Sequence, residues 1–248
     1  MNASQRIVSP LRSLLSGQAA APHGSPGRTK IELALPLLLA IPMLLLLHFG
    51  GDFAISRWFF DAAAGRFPLS SEWWLKQVLH DGAKHTAFAF TCAVFAAALA
   101  GHVWQPLAKH RWMLWRLLVA MVLAAGAISV IKHHSYPACP YELQAFGGSL
   151  PHVDIFEAIP PGYLAGHCWP GGHGSTAFSL FCLYFAARDA GRRRLALGLL
   201  AFVMLFGLVL SATQVMRGMH FVSHQVWTAL ICWYVTWLLY RLWNRLSS

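Results

Sequence analysis

The sequence predicts an all-α protein, a polytopic membrane helix bundle with six transmembrane helices, both termini cytoplasmic and two long outer loops. Three observations carry this. The 248 residues are 57% hydrophobic and only 11% charged, whereas soluble domains carry about a quarter charged residues. Several stretches approach the roughly 20 apolar residues that a helix needs to cross a bilayer. The basic residues then fall mostly on one side of those stretches, as cytoplasmic loops require. Such apolarity also excludes a disordered chain. A net charge of +10 would suggest nucleic acid for a soluble protein, but its segregation points to the phospholipid bilayer as partner and to no nucleic acid.

In chain order, residues 1–30 read as a mobile cytoplasmic N-terminal tail and residues 31–246 as a single membrane-embedded domain. The tail lacks the apolar core of a cleavable leader, so the first span, Leu33 to Gly51, is expected to stay as an anchor. Pro36 and Pro42 predict a kink in it. Further runs without Asp, Glu, Lys or Arg are His85 to Ala108, Leu117 to Ile131, Leu195 to Met216 and Gly218 to Tyr240. The run Ser175 to Ala187 is shorter; a helix from His173 to Arg188 would reach roughly 24 Å, with Arg188 snorkelling at one end.

Sidedness follows from the basic residues. Arg6, Arg12, Arg28 and Lys30 precede the first span, and Lys109, Arg111 and Arg116 join the second to the third. Arg188, Arg192, Arg193 and Arg194 join the fourth to the fifth, and Arg241 and Arg245 close the chain. The opposite side holds Arg57, Arg66, Lys76, Lys84, Lys132 and Arg217, balanced by Asp52, Asp61, Glu72, Asp81, Glu142, Asp154 and Glu157. On that outer side, Gly51 to Ala83 mixes aromatic residues with charges, which suits a segment at headgroup depth. The loop Lys132 to Gly172 is rich in Pro, Gly and His, and loops of this length are usually functional.

Three polar clusters meet the outer rim in this topology. Lys132-His-His-Ser-Tyr-Pro-Ala-Cys139-Pro140 follows the third span. Pro170-Gly171-Gly172-His173-Gly174-Ser175 precedes the fourth. Gln214-Val-Met-Arg217-Gly218-Met-His220-Phe-Val-Ser223-His224 joins the fifth to the sixth. A glycine-rich helix start offers unpaired N–H groups to an anion, although Pro-Gly also makes ordinary turns. Arg217, His220 and His224 share a helical face if the sixth span starts near Gly218. A cation beside two imidazoles suits phosphate binding and nucleophilic or acid–base chemistry. His-x-x-x-His is also metal-ligand spacing, and Lys132 alone could be an interfacial lysine.

Together the three clusters resemble the type-2 phosphatidic acid phosphatase superfamily of integral membrane lipid phosphatases. Its pattern is Lys-x6-Arg-Pro, Pro-Ser-Gly-His and Ser-Arg-x5-His-x3-Asp. This chain reads Lys132-x6-Cys139-Pro140, Pro170-Gly171-Gly172-His173 and Thr213-Gln214-x5-His220-x3-His224. Cys139 and Gln214 stand at the family's arginines, and His224 at its aspartate. The resemblance implies a metal-independent phosphatase, with no cofactor and no metal. His220 would attack phosphorus, giving a phosphohistidine, and His173 would protonate the leaving oxygen and then activate water. Lys132, Arg217 and the Gly171 and Gly172 amides would hold the phosphoryl oxygens. His224 would hydrogen-bond the nucleophile's ring without supplying negative charge, so Asp154 or Glu157 would be recruited. An alternative register makes His224 the nucleophile.

Of the cysteines, Cys92, Cys182 and Cys232 fall within spans and read as buried apolar residues. Cys139 and Cys168 share the second outer loop, an oxidising place if that side is periplasmic. They are expected to form a disulfide, the other reading being two free thiols. The function expected is hydrolysis of a lipid phosphate or pyrophosphate at the outer face of a bacterial inner membrane. Undecaprenyl pyrophosphate, phosphatidylglycerophosphate, phosphatidic acid and a lipid A phosphate are the candidate substrates. The alternatives are a lipid phosphotransferase using the same site, or a non-catalytic phospholipid-binding or transport protein.

Overall fold

The structure, a computed structural model, describes residues 26–246, so most of the expected N-terminal tail lies outside the described residues. Among them, seven helices build the molecule: α1 (Arg28–Arg57), α2 (Trp74–Ala100), α3 (Arg111–His133), α4 (Gly174–Phe178), α5 (Phe181–Asp189), α6 (Arg193–Met216) and α7 (Val222–Leu246). Four of these, α1, α2, α3 and α6, are long and apolar enough to cross a membrane. The short run expected as the fourth span is divided into α4 and α5 at Ser179–Leu180. The expected sixth span is α7, whose apolarity is diluted by buried His224, Gln225, Thr228 and Thr236.

The core lies among α3, α4, α5, α6 and α7. Leu117, Met121, Ala124 and Ile128 line one face of α3 at helical spacing and meet Phe178, Phe181, Phe185, Val203, Trp233 and Tyr240. The opposite face of α3 exposes Val119, Val122, Leu123 and Val130. A helix apolar all round has to be covered on both faces; protein covers one face of α3, and the other suits a bilayer. Lipid gives little hydrophobic drive between helices, so close approach matters, and fully buried Ala120 and Ala124 permit it on α3.

α1 runs through Pro36 without interruption. Proline removes the N–H that would satisfy the carbonyl one turn back, here that of Glu32. Trp233 Nε1 of α7 donates to that carbonyl at 2.9 Å, and Tyr234 Oη donates to the carbonyl of Leu33 at 2.7 Å. The helix is interrupted at Phe49 and Gly50, where Gly50 has φ 109°.

The end of the bundle carrying most of the basic residues is closed by ion pairs. Arg188 Nη1 donates to Glu32 at 2.6 Å and Arg188 Nη2 to Asp189 at 2.6 Å. Tyr184 adds a bond to Glu32 at 3.2 Å, and Asn244 one to Asp189 at 2.8 Å. Arg188 is therefore paired within the protein and does not snorkel. At the opposite end the loops fold back over the helices. Phe67, Leu143, Phe146 and Phe221 are buried together, with Phe53 and Phe60 packed on them. The first outer loop is also shorter than expected, because α1 extends to Arg57 and α2 begins at Trp74.

Candidate active site

α3 ends, α4 begins and α6 turns into α7 at this roofed end, which is what brings the three polar clusters together. Lys132 sits in the last turn of α3. Its Nζ lies beside the backbone of Gly172, 3.5 Å from where a Cβ would stand. His173 immediately precedes α4. Cys139 and Cys168 are bonded to each other, with Cα atoms 5.1 Å apart, tying the segment after α3 to the segment before α4.

The α6–α7 connection is a helix stop followed by a tight reversal. Gly218 N–H donates to the carbonyl of Val215 and Met219 N–H to that of Gln214, both at 2.9 Å. This is the Schellman arrangement, and it needs a left-handed residue after the cap. Gly218 supplies it at φ 71°, and a Cβ there would also collide with the ring of Phe67. α7 then starts at Val222, its first turn held by Asp52, whose Oδ1 accepts the Ser223 N–H at 3.0 Å. His220 thus lies in the turn and His224 in the first turn of α7, so the expected helical face shared by Arg217, His220 and His224 does not form.

His220 is only 3% exposed. Burial pushes its pKa well below the ordinary value of 6.5, and nearby His224, Lys132 and His173 push in the same direction, against a hydrogen bond with the Cys168 backbone. The ring is therefore neutral at neutral pH. Its Nδ1 lies 3.2 Å from Cys168 Sγ. A disulfide sulfur has no hydrogen to give, so this contact favours the hydrogen on Nδ1 and leaves the lone pair on Nε2. Electrostatic coupling of His220 to Lys132, His173 and His224 puts those four side chains in one neighbourhood. The rings of His220 and His224 meet edge to face, centroids 5.8 Å apart.

Three expected roles are corrected by the geometry. Arg217 turns toward the first outer loop: its Nε donates to the Ser70 carbonyl at 3.3 Å, and Asp81 opposes the lowering of its pKa by burial. It lines a cavity with Arg66, Lys76 and Tyr141 and is not among the groups acting on His220. The Gly171 N–H is already donated to the His224 carbonyl at 3.1 Å, which removes that amide from the expected anion cradle. Asp154 pairs with His48 at 3.3 Å and Glu157 accepts the Asp154 N–H at 2.9 Å. Neither carboxylate acts on His220.

A supporting layer was not recognised in the sequence. Gln225, 4% exposed, is wedged against the turn before α4, where a Cβ at Gly171 or Gly174 would collide with its amide. Ser211 Oγ donates to Gln225 Oε1 at 3.2 Å. Thr228 Oγ1 reaches the carbonyls of Gly171 and His224, at 2.9 and 2.8 Å. The available signal was a polar face, His224, Gln225 and Thr228, on a helix of membrane-spanning length. At the positions the resemblance marks as arginines stand the bonded Cys139 and a buried Gln214, whose Nε2 donates to Thr213 Oγ1 at 3.3 Å.

The sequence family described as the PAP2 superfamily matches residues 113–248, over half of the chain and every residue from Lys132 to His224. No curated protein and no solved structure matches the chain. The chain therefore belongs to the PAP2 superfamily, whose activity is of the lipid phosphate phosphatase type and generally metal-independent.

Proposed function

We propose that the protein hydrolyses a lipid phosphate or pyrophosphate at the outer face of a bacterial inner membrane, through a phosphohistidine on His220. One observation carries the reading: a buried, neutral imidazole is surrounded by Lys132, His173 and His224, with no carboxylate among the groups acting on it. Such a cluster is complementary to an anion. His220 Nε2 would attack phosphorus as the ester P–O bond breaks, and His173 would give its proton to the departing oxygen. His173 would then take a proton from water as the water oxygen attacks phosphorus and the P–N bond breaks, releasing inorganic phosphate. Lys132 and the Gly172 amide would hold the equatorial oxygens, since charge stabilisation supplies most of phosphoryl-transfer catalysis. Gln225 and Thr228 would fix the turn that presents His173.

A cavity of about 440 Å³ supports a lipid substrate. It runs between α1 and α7 under the second outer loop, is walled by Ile41, Leu44, Phe49 and Trp227, and reaches His224. We read α4–α5 and α7 as crossing the membrane with the four apolar helices, giving six spans. The end bearing Lys109, Arg111, Arg192, Arg193, Arg194, Arg241 and Arg245 is then cytoplasmic, and the histidines face the periplasm. The test is phosphate release from a panel of purified lipid phosphates in EDTA by wild type, His220→Ala and His173→Ala. Activity that needs an EDTA-sensitive metal, or that survives loss of either imidazole, would sink the mechanism. An added acceptor lipid that captured labelled phosphate would show transfer in place of hydrolysis.

A further inference from the structure

We propose that reduction of the Cys139–Cys168 disulfide creates a zinc site, formed by the two cysteine sulfurs and the Nδ1 of His220. Three segments bring these groups together: the chain after α3, the chain before α4 and the α6–α7 turn. The two sulfurs and a His220 ring nitrogen all lie within 4.8 Å of one another, and Nδ1 is 3.2 Å from Cys168 Sγ. Zinc bonds of about 2.3 Å to sulfur and about 2.0–2.1 Å to nitrogen place neighbouring ligands of a tetrahedral ion roughly 3.5–3.8 Å apart. The nitrogen is thus nearly at ligand distance from one sulfur, and only the two sulfurs must part, by rotation of the cysteine side chains. Cys168 is fully buried and His220 nearly so. Two thiolates and an imidazole favour zinc over hard cations. The fourth position is left to water or to a shift of His224, whose ring centroid lies 5.8 Å from that of His220.

The chemistry balances with a dithiol as reductant. The dithiol gives two electrons and two protons to the disulfide, becoming a disulfide itself, and leaves Cys139 and Cys168 as thiols. Zinc binding then displaces both thiol protons, since the coordinating sulfur is a thiolate, and the His220 ring proton passes from Nδ1 to Nε2 so that Nδ1 can ligate. With zinc on Nδ1 and the proton on Nε2, the lone pair that attacks phosphorus in the function proposed above is no longer available. The site itself stands on the geometry of the three ligands; only this consequence for hydrolysis rests on the function proposed above.

Zinc content of the purified full-length chain, oxidised against reduced, tests the site without any variant. Reduced protein, freed of reductant and equilibrated with Zn²⁺, is expected to retain one ion per chain against chelator washing, and oxidised protein none. Co²⁺ should give a thiolate charge-transfer band in the reduced protein alone. Both signals should be lost in Cys168→Ser and kept in Cys92→Ser. His220→Ala should weaken binding by at least the roughly 10–100-fold that a ligand's own hydrogen-bond partner is worth. Equal zinc in oxidised and reduced wild type, or zinc retained by Cys168→Ser, would overturn the site. Zinc bound as expected while hydrolysis continues unchanged would uphold the site and count against His220 as the nucleophile.

Discussion

The two ends of this bundle solve the same problem, burying polar groups near a membrane, in opposite ways. At one end Arg188 is matched by Glu32 and Asp189, with Tyr184 and Asn244 completing the network. At the other, Lys132 and three histidines gather; Glu142 acts on Lys132, but among the described residues the groups acting on His220 include no carboxylate. A charge removed from water is tolerated when a partner is buried with it. The first end holds its carboxylates in direct contact with the cation, whereas the second, on the function proposed above, would be completed by an anion from outside. That contrast separates a structural clamp from the proposed binding site more sharply than the residue types do, since both ends contain a half-buried cation.

The largest effect that would break the comparison concerns the second end. His220→Ala is expected to lower lipid phosphate hydrolysis by on the order of 10⁴-fold or more with folding intact, read as initial rates alongside thermal melting. At the clamp the expectation reverses. Glu32→Ala should lower unfolding stability by about 2 kcal/mol by removing one of the two carboxylates that hold Arg188, while activity per folded molecule holds; a loss of activity without a loss of stability would erase the distinction. Lys132→Ala should then cost about 10²–10³-fold in kcat/KM, whereas Arg217→Ala should stay within a few-fold, because that guanidinium serves the first outer loop. Equal losses at the two positions would return Arg217 to the site. Gly218→Ala should cost roughly 1–2 kcal/mol for its left-handed backbone alone, with more from the collision with Phe67, and should lower kcat by displacing His220.

The smallest effect is in pH. His220 must be neutral to attack, and its pKa in the folded protein is lowered by burial first and by neighbouring His224, Lys132 and His173 second. Hydrolysis should therefore persist as pH falls below about 6.5, the ordinary histidine value, down to the depressed value. Stability should do the reverse. Below about 6.5 the unfolded chain takes up a proton that the buried ring does not, so the contribution of His220 is complete above that pH and declines as pH falls toward the depressed pKa. A rate profile breaking near 6.5 would place His220 in contact with solvent.

Much of this was legible in the chain. Spans that became α1, α2, α3 and α6 are continuous apolar runs, and backbone hydrogen bonding leaves such runs little choice but helix in a bilayer. Order and spacing of Lys132, His173 and His220 were enough to mark the family. The misread parts all depend on where a side chain turns. Arg217 lies three residues before His220, one helical turn if the helix continued, but the Gly218 stop rotates it toward Ser70. Gly171 looked like a free amide, yet its partner is a carbonyl more than fifty positions away, on α7. Nor does the chain show that the indole of Trp233 serves the Glu32 carbonyl that Pro36 leaves without a donor.

By itself, then, the sequence determined that this is an apolar helical chain for a membrane, with one basic end and three polar clusters aligned at the other. It could do so because hydropathy and charge are summed over many residues and survive local error. Only the tertiary structure decided that Cys168 abuts the ring of His220, that Gln225 fills the space left by two glycines, and that Arg217 turns to the first outer loop. Those are matters of a few ångströms between segments distant in the chain, fixed by helix stops and close packing that no single segment encodes.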